Sequence, residues 1–178
     1  ASLMTSLYPG THGATLKPSR LPDSVITIAE ALRAYGYSTG SIVTNINLAP
    51  SFNFQQGFDE YHYLPPDYLF GVSDSTSRLL LYELARRVSG RLGGGVRPGD
   101  AYQPGERVNQ AAAEWLDRHA DERFFLHLHY MEPHDPYFLH PDDGDAIGRA
   151  LTPNPEPELR DEMYLRYLAE IEHMDHLL

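Results

Sequence analysis

The stretch LPDSVITIAEALRAYGYSTGSIVTNINL, residues 21–48, decides the fold class. Thr27 and Glu30 stand three residues apart before an apolar run, which is the spacing of a capping box at a helix N-terminus. Apolar residues then recur with helical spacing until Gly36, which occupies the position where a left-handed residue ends a helix. The β-branched segment 37–44 predicts a strand. A helix that leads into a strand across a tight turn is half of a βαβ unit, so we expect an α/β fold.

The same order of elements recurs further along the chain. Apolar residues within 106–121 follow helical spacing, and a strand is predicted at 124–130, where FFLHLHY carries large side chains on both faces. Apolar side chains on both faces predict a central strand in a sheet covered by helices. A last helix is predicted at 156–178. Its apolar stripe consists of Tyr164, Tyr167, Leu168, Ile171 and Leu178. We therefore expect a mostly parallel sheet flanked by helices.

The helices at the two ends of the chain lack their usual boundaries. The first, predicted at 1–7, begins without an N-cap, and the last ends without a C-cap or a following strand. We therefore expect a single partial domain over 1–178 that is truncated at both ends. The segment 65–107 differs in composition and predicts a variable insertion. Its basic amphipathic stretch at 75–92 is compatible with a membrane-surface helix, but a helix that packs its leucines on the domain is favoured.

The composition narrows the classes of function. Apolar residues make up 42% of the chain, as in globular proteins. The formal net charge of −11 argues against non-specific binding of nucleic acid, which requires a basic surface. No segment approaches the ~18 consecutive apolar residues of a membrane span. The chain has no cysteine, which excludes disulfides and thiolate metal sites within it.

Histidines are concentrated in HLHYMEPHDPYFLH, residues 127–140. His127 and His129 stand two apart on the predicted strand and so point to the same face, a spacing that can chelate a metal. A hydrogen-bonded histidine in the core is the favoured interpretation of His127. His134 differs, because prolines on either side restrict its turn and the turn follows a predicted parallel strand, where open α/β sheets place their ligand sites. His134 is therefore a candidate to contact an anion or a leaving group, and the alternative is a turn histidine in water.

Five segments of the chain stand out together: ASLMTSLYPGTHG (1–13), the helix–strand unit at 21–48, FNFQQGFDEYHY (52–63), FFLHLHYMEPHDPY (124–137) and YLAEIEHMDHLL (167–178). In this order along the chain, they resemble the sulfatase family of the alkaline-phosphatase-like superfamily. The first segment resembles the part of the family signature that follows the nucleophile. The fourth resembles the strand and turn that deliver the active-site histidine, and the fifth resembles the helix ahead of the second metal-ligand segment.

The resemblance implies a partial alkaline-phosphatase-like sandwich and a sulfuric ester hydrolase that cleaves sulfate monoesters of small molecules or glycans in its full-length form. Family members convert a Cys or Ser to formylglycine, and a divalent cation, usually Ca²⁺, lowers the charge on the sulfate oxygens. The resemblance places the nucleophile upstream of Ala1 and the metal ligands outside 1–178. We therefore expect no cofactor on this chain alone and no activity from it. The catalytic residue that it carries over is His134, which in the family bonds the sulfate or helps the ester oxygen leave.

Asn45 and Asn47 stand where many arylsulfatases carry a Lys and a His that touch the sulfate, and they are the predicted substrate-binding residues. An amide donates hydrogen bonds without bringing a charge, so anion binding there is expected to be weaker. This departure leaves two alternatives. One is a phosphodiesterase, phosphonate hydrolase or phosphoethanolamine-type transferase of the same superfamily, and the other is a non-catalytic sulfatase-like binding domain.

Overall fold

The computed structural model describes residues 1–16, 19–67, 102–138, 146–149 and 151–178. Contacts divide the chain into two compact units, which are described separately. The first unit comprises Ala1–Leu64 and Val108–Tyr130, and the second comprises Pro65–Arg107 and Met131–Leu178. The amphipathic stretch predicted at 75–92 lies outside the described residues.

The N-terminal segment forms two short helices, and the first is shorter than the helix predicted at 1–7. Helix α1 spans Ser2–Thr5 and ends at Ser6, whose φ is 55°. Helix α2 spans Pro9–His12. Proline suits the first position of a helix, because its fixed φ is already helical and the N–H that it lacks would have no partner there.

The helix–strand unit at 21–48 forms as predicted. Helix α3 spans Ile28–Ala34 and begins with a complete capping box. The Glu30 N–H donates to Thr27 Oγ1 at 3.1 Å, and the Thr27 N–H donates to Glu30 Oε2 at 2.8 Å. Gly36 follows the helix with φ 76°, in the left-handed region. The chain then enters strand β1, Ser38–Val43.

The described strands form one parallel sheet. Strand β2 spans Glu60–Tyr63, strand β3 spans Phe124–His129, and the order is β2-β1-β3. Both neighbours pair with β1 in parallel, with Ser41 opposite Tyr61 on one side and His127 on the other. Since α3 contacts β1 and a further helix covers one face, the predicted α/β fold with a parallel sheet flanked by helices is confirmed.

Among the described strands β3 lies at an edge and β1 lies in the middle, so the central position expected for 124–130 is not observed. Apolar side chains on both faces report what covers a strand above and below, and they carry no information on its hydrogen-bonded neighbours. Strand β2 was not predicted, because four residues are too few to show a period.

Helix α4, Gly105–Arg118, covers one face of the first unit's sheet and confirms the helix predicted at 106–121. Val108 and Ala112 of this helix form a buried cluster with Ile42 of β1. Trp115 lies directly over Gly40, where a Cβ atom would come within 2.5 Å of the indole ring. A glycine in β1 is therefore what lets the indole reach the strand.

Helix α5, Pro157–Leu177, matches the helix predicted at 156–178, but the predicted apolar stripe is wrong in part. The fully buried residues of α5 are Met163 and Glu170, whereas Tyr164 is 61% exposed and Leu168 is 42% exposed. Apolar residues occur on two sides of this helix, so the periodicity cannot select the side that is covered. No helix in the described part of the chain is long and apolar enough to cross a membrane.

Candidate functional site

His134 lies in the turn that follows β3 along the chain, and its side chain is exposed. The peptide bonds before Pro133 and Pro136 are both cis. The ring Nδ1 lies 2.6 Å from the carbonyl oxygen of Asp135. Because a carbonyl only accepts hydrogen bonds, Nδ1 carries the hydrogen, and in the neutral ring Nε2 holds the lone pair. This turn therefore presents a histidine whose tautomer is set by its own backbone.

Asp135 attaches the His134 turn to the segment 146–149. Its Oδ2 accepts a hydrogen bond from the Arg149 N–H at 2.5 Å. Gly148 is buried against the same carboxylate, and a Cβ atom at that position would lie 2.7 Å from Asp135 Cγ. Two backbone hydrogen bonds between Tyr137 and Ile147, at 2.7 and 3.0 Å, complete the attachment.

Glu132 attaches the other end of the turn. It is only 6% exposed, and its Oε1 accepts a hydrogen bond from the N–H of Gly105, the first residue of α4, at 2.8 Å. Its Oε2 is buried with no hydrogen-bond partner among the described residues. Burial raises the pKa of Glu132, and the nearby carboxylates of Glu170 and Glu106 raise it further. Sequence reasoning missed this role, because the partner lies 27 residues away in the chain and no motif joins the two.

A second buried carboxylate supports the segment after the turn. Glu170 of α5 has no exposed surface, and its Oε1 accepts a hydrogen bond from the Phe138 N–H at 2.8 Å. Tyr102 packs edge-on against Phe138, with the ring centroids 5.9 Å apart. Burial raises the pKa of Tyr102, and the charges of Glu170 and Glu132 add to the effect. Two buried carboxylates of the second unit therefore support the His134 turn. Glu132, before the histidine, accepts the Gly105 N–H, and Glu170 accepts the N–H of Phe138, after the histidine.

Asn45 and Asn47 lie together in the first unit, just beyond the carboxyl end of β1. Asn45 precedes a short 3₁₀ helix, Ile46–Leu48, and its Oδ1 accepts hydrogen bonds from Asn47 N–H at 2.9 Å and from Asn47 Nδ2 at 3.0 Å. Both residues are half-buried. The bonds to Asn47 hold the Asn45 side chain by its oxygen. The amide Nδ2 of Asn45 is the group that can donate a hydrogen bond to an anion. The end of a parallel strand is where α/β folds bind ligands.

His127 is half-buried in the first unit and hydrogen-bonded, which agrees with the favoured interpretation in the hydrogen bond but not in full burial. Its Nδ1 lies 3.0 Å from the hydroxyl of Ser41 on the neighbouring strand β1. Burial lowers the pKa of His127 to about 4, and the adjacent His129 contributes to the shift. His127 is therefore neutral at physiological pH and structural in role.

A metal site is not evident in the part of the chain that the structure describes. No three His, Cys, Asp or Glu side chains there are placed to hold a metal ion. The described residues therefore do not fit the divalent cation that the resemblance implies.

Comparison with known proteins identifies the family of the chain. A family model described as Sulfatase matches residues 1–178, the whole chain. No curated protein was found to match it. A match of this extent includes the helix–strand unit of α3 and β1, the turn of His134 and helix α5. The chain therefore belongs to the sulfatase family.

Proposed function

We propose that the protein, in its full-length form, is a sulfuric ester hydrolase that cleaves a sulfate monoester, with His134 acting on the reacting group. Membership of the sulfatase family over the whole chain supports hydrolase chemistry. The observation that carries the residue assignment is the exposed His134 in a turn after β3, with its Nδ1 committed to the Asp135 carbonyl. That bond leaves Nε2 as the ring atom that can act on a ligand.

The proposed role of His134 follows from the chemistry of Nε2. When the ring is protonated, Nε2 donates a hydrogen bond to a sulfate oxygen or a proton to the departing ester oxygen. Asn45 and Asn47 are proposed to contribute amide hydrogen bonds to the sulfate, without a charge. A sulfate monoester carries a single negative charge, so neutral donors desolvate it at a lower electrostatic cost than they would a doubly charged phosphate monoester.

Formylglycine and a divalent cation such as Ca²⁺ enter the proposal through the family resemblance alone. The chain contains no cysteine, and its described residues do not fit a cation site. The roles proposed for His134, Asn45 and Asn47 therefore involve neither group.

The test measures sulfate release by the full-length protein from a panel of aryl and sugar sulfates. His134→Ala should lower the rate about 10²–10⁴-fold, the usual contribution of a positioned acid or base. His176→Ala is the matched control, because His176 is also exposed and its Nδ1 also bonds to a backbone carbonyl, that of Glu172 at 2.7 Å. A His134→Ala rate within twofold of wild type would contradict the assignment.

A phosphodiester hydrolase is the second candidate, because Asn45 and Asn47 are neutral where charged residues are common. A phosphodiester also carries a single negative charge, so the same amide donors suit it. Assaying a phosphodiester beside the sulfate esters separates the two candidates, since the substrate with the higher kcat/KM identifies the reaction.

A further inference from the structure

A cavity of about 240 Å³ lies within the second unit, beside the segment that follows His134. Tyr137, one of the residues that line the cavity, lies three positions after His134 in the chain. The cavity is lined by Tyr137, Arg149, Pro155, Arg160, Met163, Tyr164 and Tyr167. This volume is slightly below the range of about 300–1,000 Å³ for pockets that enclose drug-sized ligands, and it is large enough for one six-membered ring.

The walls of the cavity combine aromatic rings with positive charge. Tyr137 and Tyr167 pack edge to face, with their centroids 5.7 Å apart and an interplanar angle of 63°. Tyr164 lies three residues before Tyr167 on helix α5. It is 61% exposed, so its ring is available to a ligand. Tyrosine rings supply flat apolar surface against which a sugar or an arene can stack.

Two arginines line the same cavity, and each forms a hydrogen bond with a neighbouring segment of the second unit. The N–H of Arg149 donates to the Asp135 carboxylate, and the side-chain Nε of Arg160 donates to the Pro155 carbonyl at 2.9 Å. Within the described residues neither guanidinium forms an ion pair. Arg166, on the same helix α5 as Arg160, differs in this respect, because its guanidinium forms an ion pair with Glu162 at 2.7 Å.

The charged side chains found at this cavity differ in sign from the protein as a whole. The formal net charge of the chain is −11, yet among the described residues that line this space the charged ones are both arginines. The carboxylate of Asp135 does not line this space. Burial raises the pKa of Tyr137, and the charge of Asp135 contributes to the shift. The Asp135 Oδ2 accepts the hydrogen bond from the Arg149 N–H. A planar guanidinium recognises a carboxylate or a sulfate through paired hydrogen bonds.

We propose that this cavity binds an anionic six-membered ring, a sugar acid or an aromatic acid, as the part of the substrate that carries the scissile sulfate ester. The ring stacks on the tyrosines while its second anionic group bonds to Arg149 and Arg160. The assignment to the substrate rests on the proposed function. The binding of a ring acid to the cavity does not, because it depends only on the residues of the cavity.

Binding to the full-length protein tests the inference without any cleavage. Glucuronate and 4-hydroxybenzoate serve as the two anionic probes, with glucose and phenol as their neutral counterparts, and NMR titration gives each Kd. We expect at least one acid to bind about tenfold more tightly than its neutral counterpart, as one to two charge-assisted hydrogen bonds would produce. The acid that binds identifies the source of the ring. If neither acid binds more tightly than its neutral counterpart, the inference is wrong.

Variants locate the binding at the cavity. Arg149→Gln and Arg160→Gln should each raise the Kd of the acid about fivefold to thirtyfold, whereas Arg107→Gln should leave it unchanged. Arg107 is the matched control, because it is exposed, lies 3.9 Å from Asp67 and does not line the cavity. Tyr164→Ala, at a position already 61% exposed and therefore safe for folding, should weaken binding at least threefold. Equal Kd values in all four variants would overturn the inference.

The activity assay separates this inference from the proposed function. With an active protein, Arg149→Gln should raise KM for the sulfate ester of the ring acid and leave KM for the ester of the neutral ring unchanged. Binding of the acid by a protein that cleaves no sulfate ester would refute the proposed function and retain the cavity as a site for a ring acid. Sulfate release with KM values that are insensitive to both arginine variants would retain the function and refute the inference.

Discussion

Glu132 joins the turn of His134 to the first residue of helix α4, through a hydrogen bond of 2.8 Å from the Gly105 N–H to its Oε1. The carboxylate lies at the N-terminus of the helix, where the helix dipole favours a negative charge. Burial and the neighbouring carboxylates act in the opposite direction and raise its pKa. Two residues before the proposed catalytic histidine, the protein thus holds an acid whose charged form is disfavoured overall.

Glu132→Gln should therefore change stability in a manner that depends on pH. A carboxyl group with a raised pKa in the folded state binds more protons there than in the unfolded chain, so its contribution to stability falls as pH rises above the ordinary value of 4.5. The amide does not titrate. Urea unfolding at several pH values measures the free energy of unfolding of both proteins. The value for Glu132→Gln should increase relative to that of wild type as the pH rises from 4.5 to neutrality. A constant difference across that range would contradict the burial of this acid.

Gly148→Ala should disturb the other attachment of the His134 turn. The new methyl group would meet the carboxylate of Asp135, and overpacking of this kind costs about 1–3 kcal/mol. Thermal unfolding should show a lowered Tm, and the rate of sulfate release should fall with it. Gly10→Ala is the matched control, because nothing lies within 4 Å of a Cβ at that position. A Gly148→Ala protein as stable and active as Gly10→Ala would show that the contact with Asp135 is not needed.

Local signals in the sequence account for the parts of the fold that were predicted. The start of α3 depends on Thr27 and Glu30, three residues apart, and its end depends on Gly36, so a short window contains all the information. The parts that were missed depend on contacts remote in the chain. Strand β2 forms through its pairing with β1. The buried side of α5 depends on contacts such as the hydrogen bond from the Phe138 N–H to Glu170, two residues that are 32 positions apart in the chain.

The candidate site divides in the same way. His134 could be proposed from the sequence because a motif and two prolines surround it within a few residues. Arg149 and Arg160 could not, because they come from a loop and from helix α5 and no spacing between them is characteristic. Only the folded chain brings both arginines and Tyr137 to the same cavity.

Thr27→Ala should destabilise the first unit by removing the cap of α3. The Thr27 hydroxyl accepts the Glu30 N–H and also donates to the Gln56 carbonyl at 3.0 Å, and the residue is only 3% exposed. Loss of a side-chain cap costs about 1–2 kcal/mol. Thr27→Ser is the matched variant, because serine keeps the hydroxyl and should retain most of the stability. Urea unfolding compares the two, and equal losses would assign the effect to the methyl group instead of the cap.

His127 predicts a loss of stability in acid. A histidine with a lowered pKa in the folded state binds fewer protons there than in the unfolded chain, so its contribution is complete above the ordinary value of 6.5 and is lost as pH falls towards about 4. We expect the free energy of unfolding to fall by up to about 2 kcal/mol over this range, after allowance for the partial exposure of the ring.

His127→Gln isolates this contribution, because glutamine can still bond to the Ser41 hydroxyl but does not titrate. Urea unfolding of both proteins between pH 4 and 7 should show the gap between wild type and variant narrowing as the solution becomes more acidic. An NMR titration of the wild-type ring should give a midpoint near 4. A midpoint near 6.5, with parallel unfolding curves, would mean that the ring is solvated and that the bond to Ser41 does not hold it in the core.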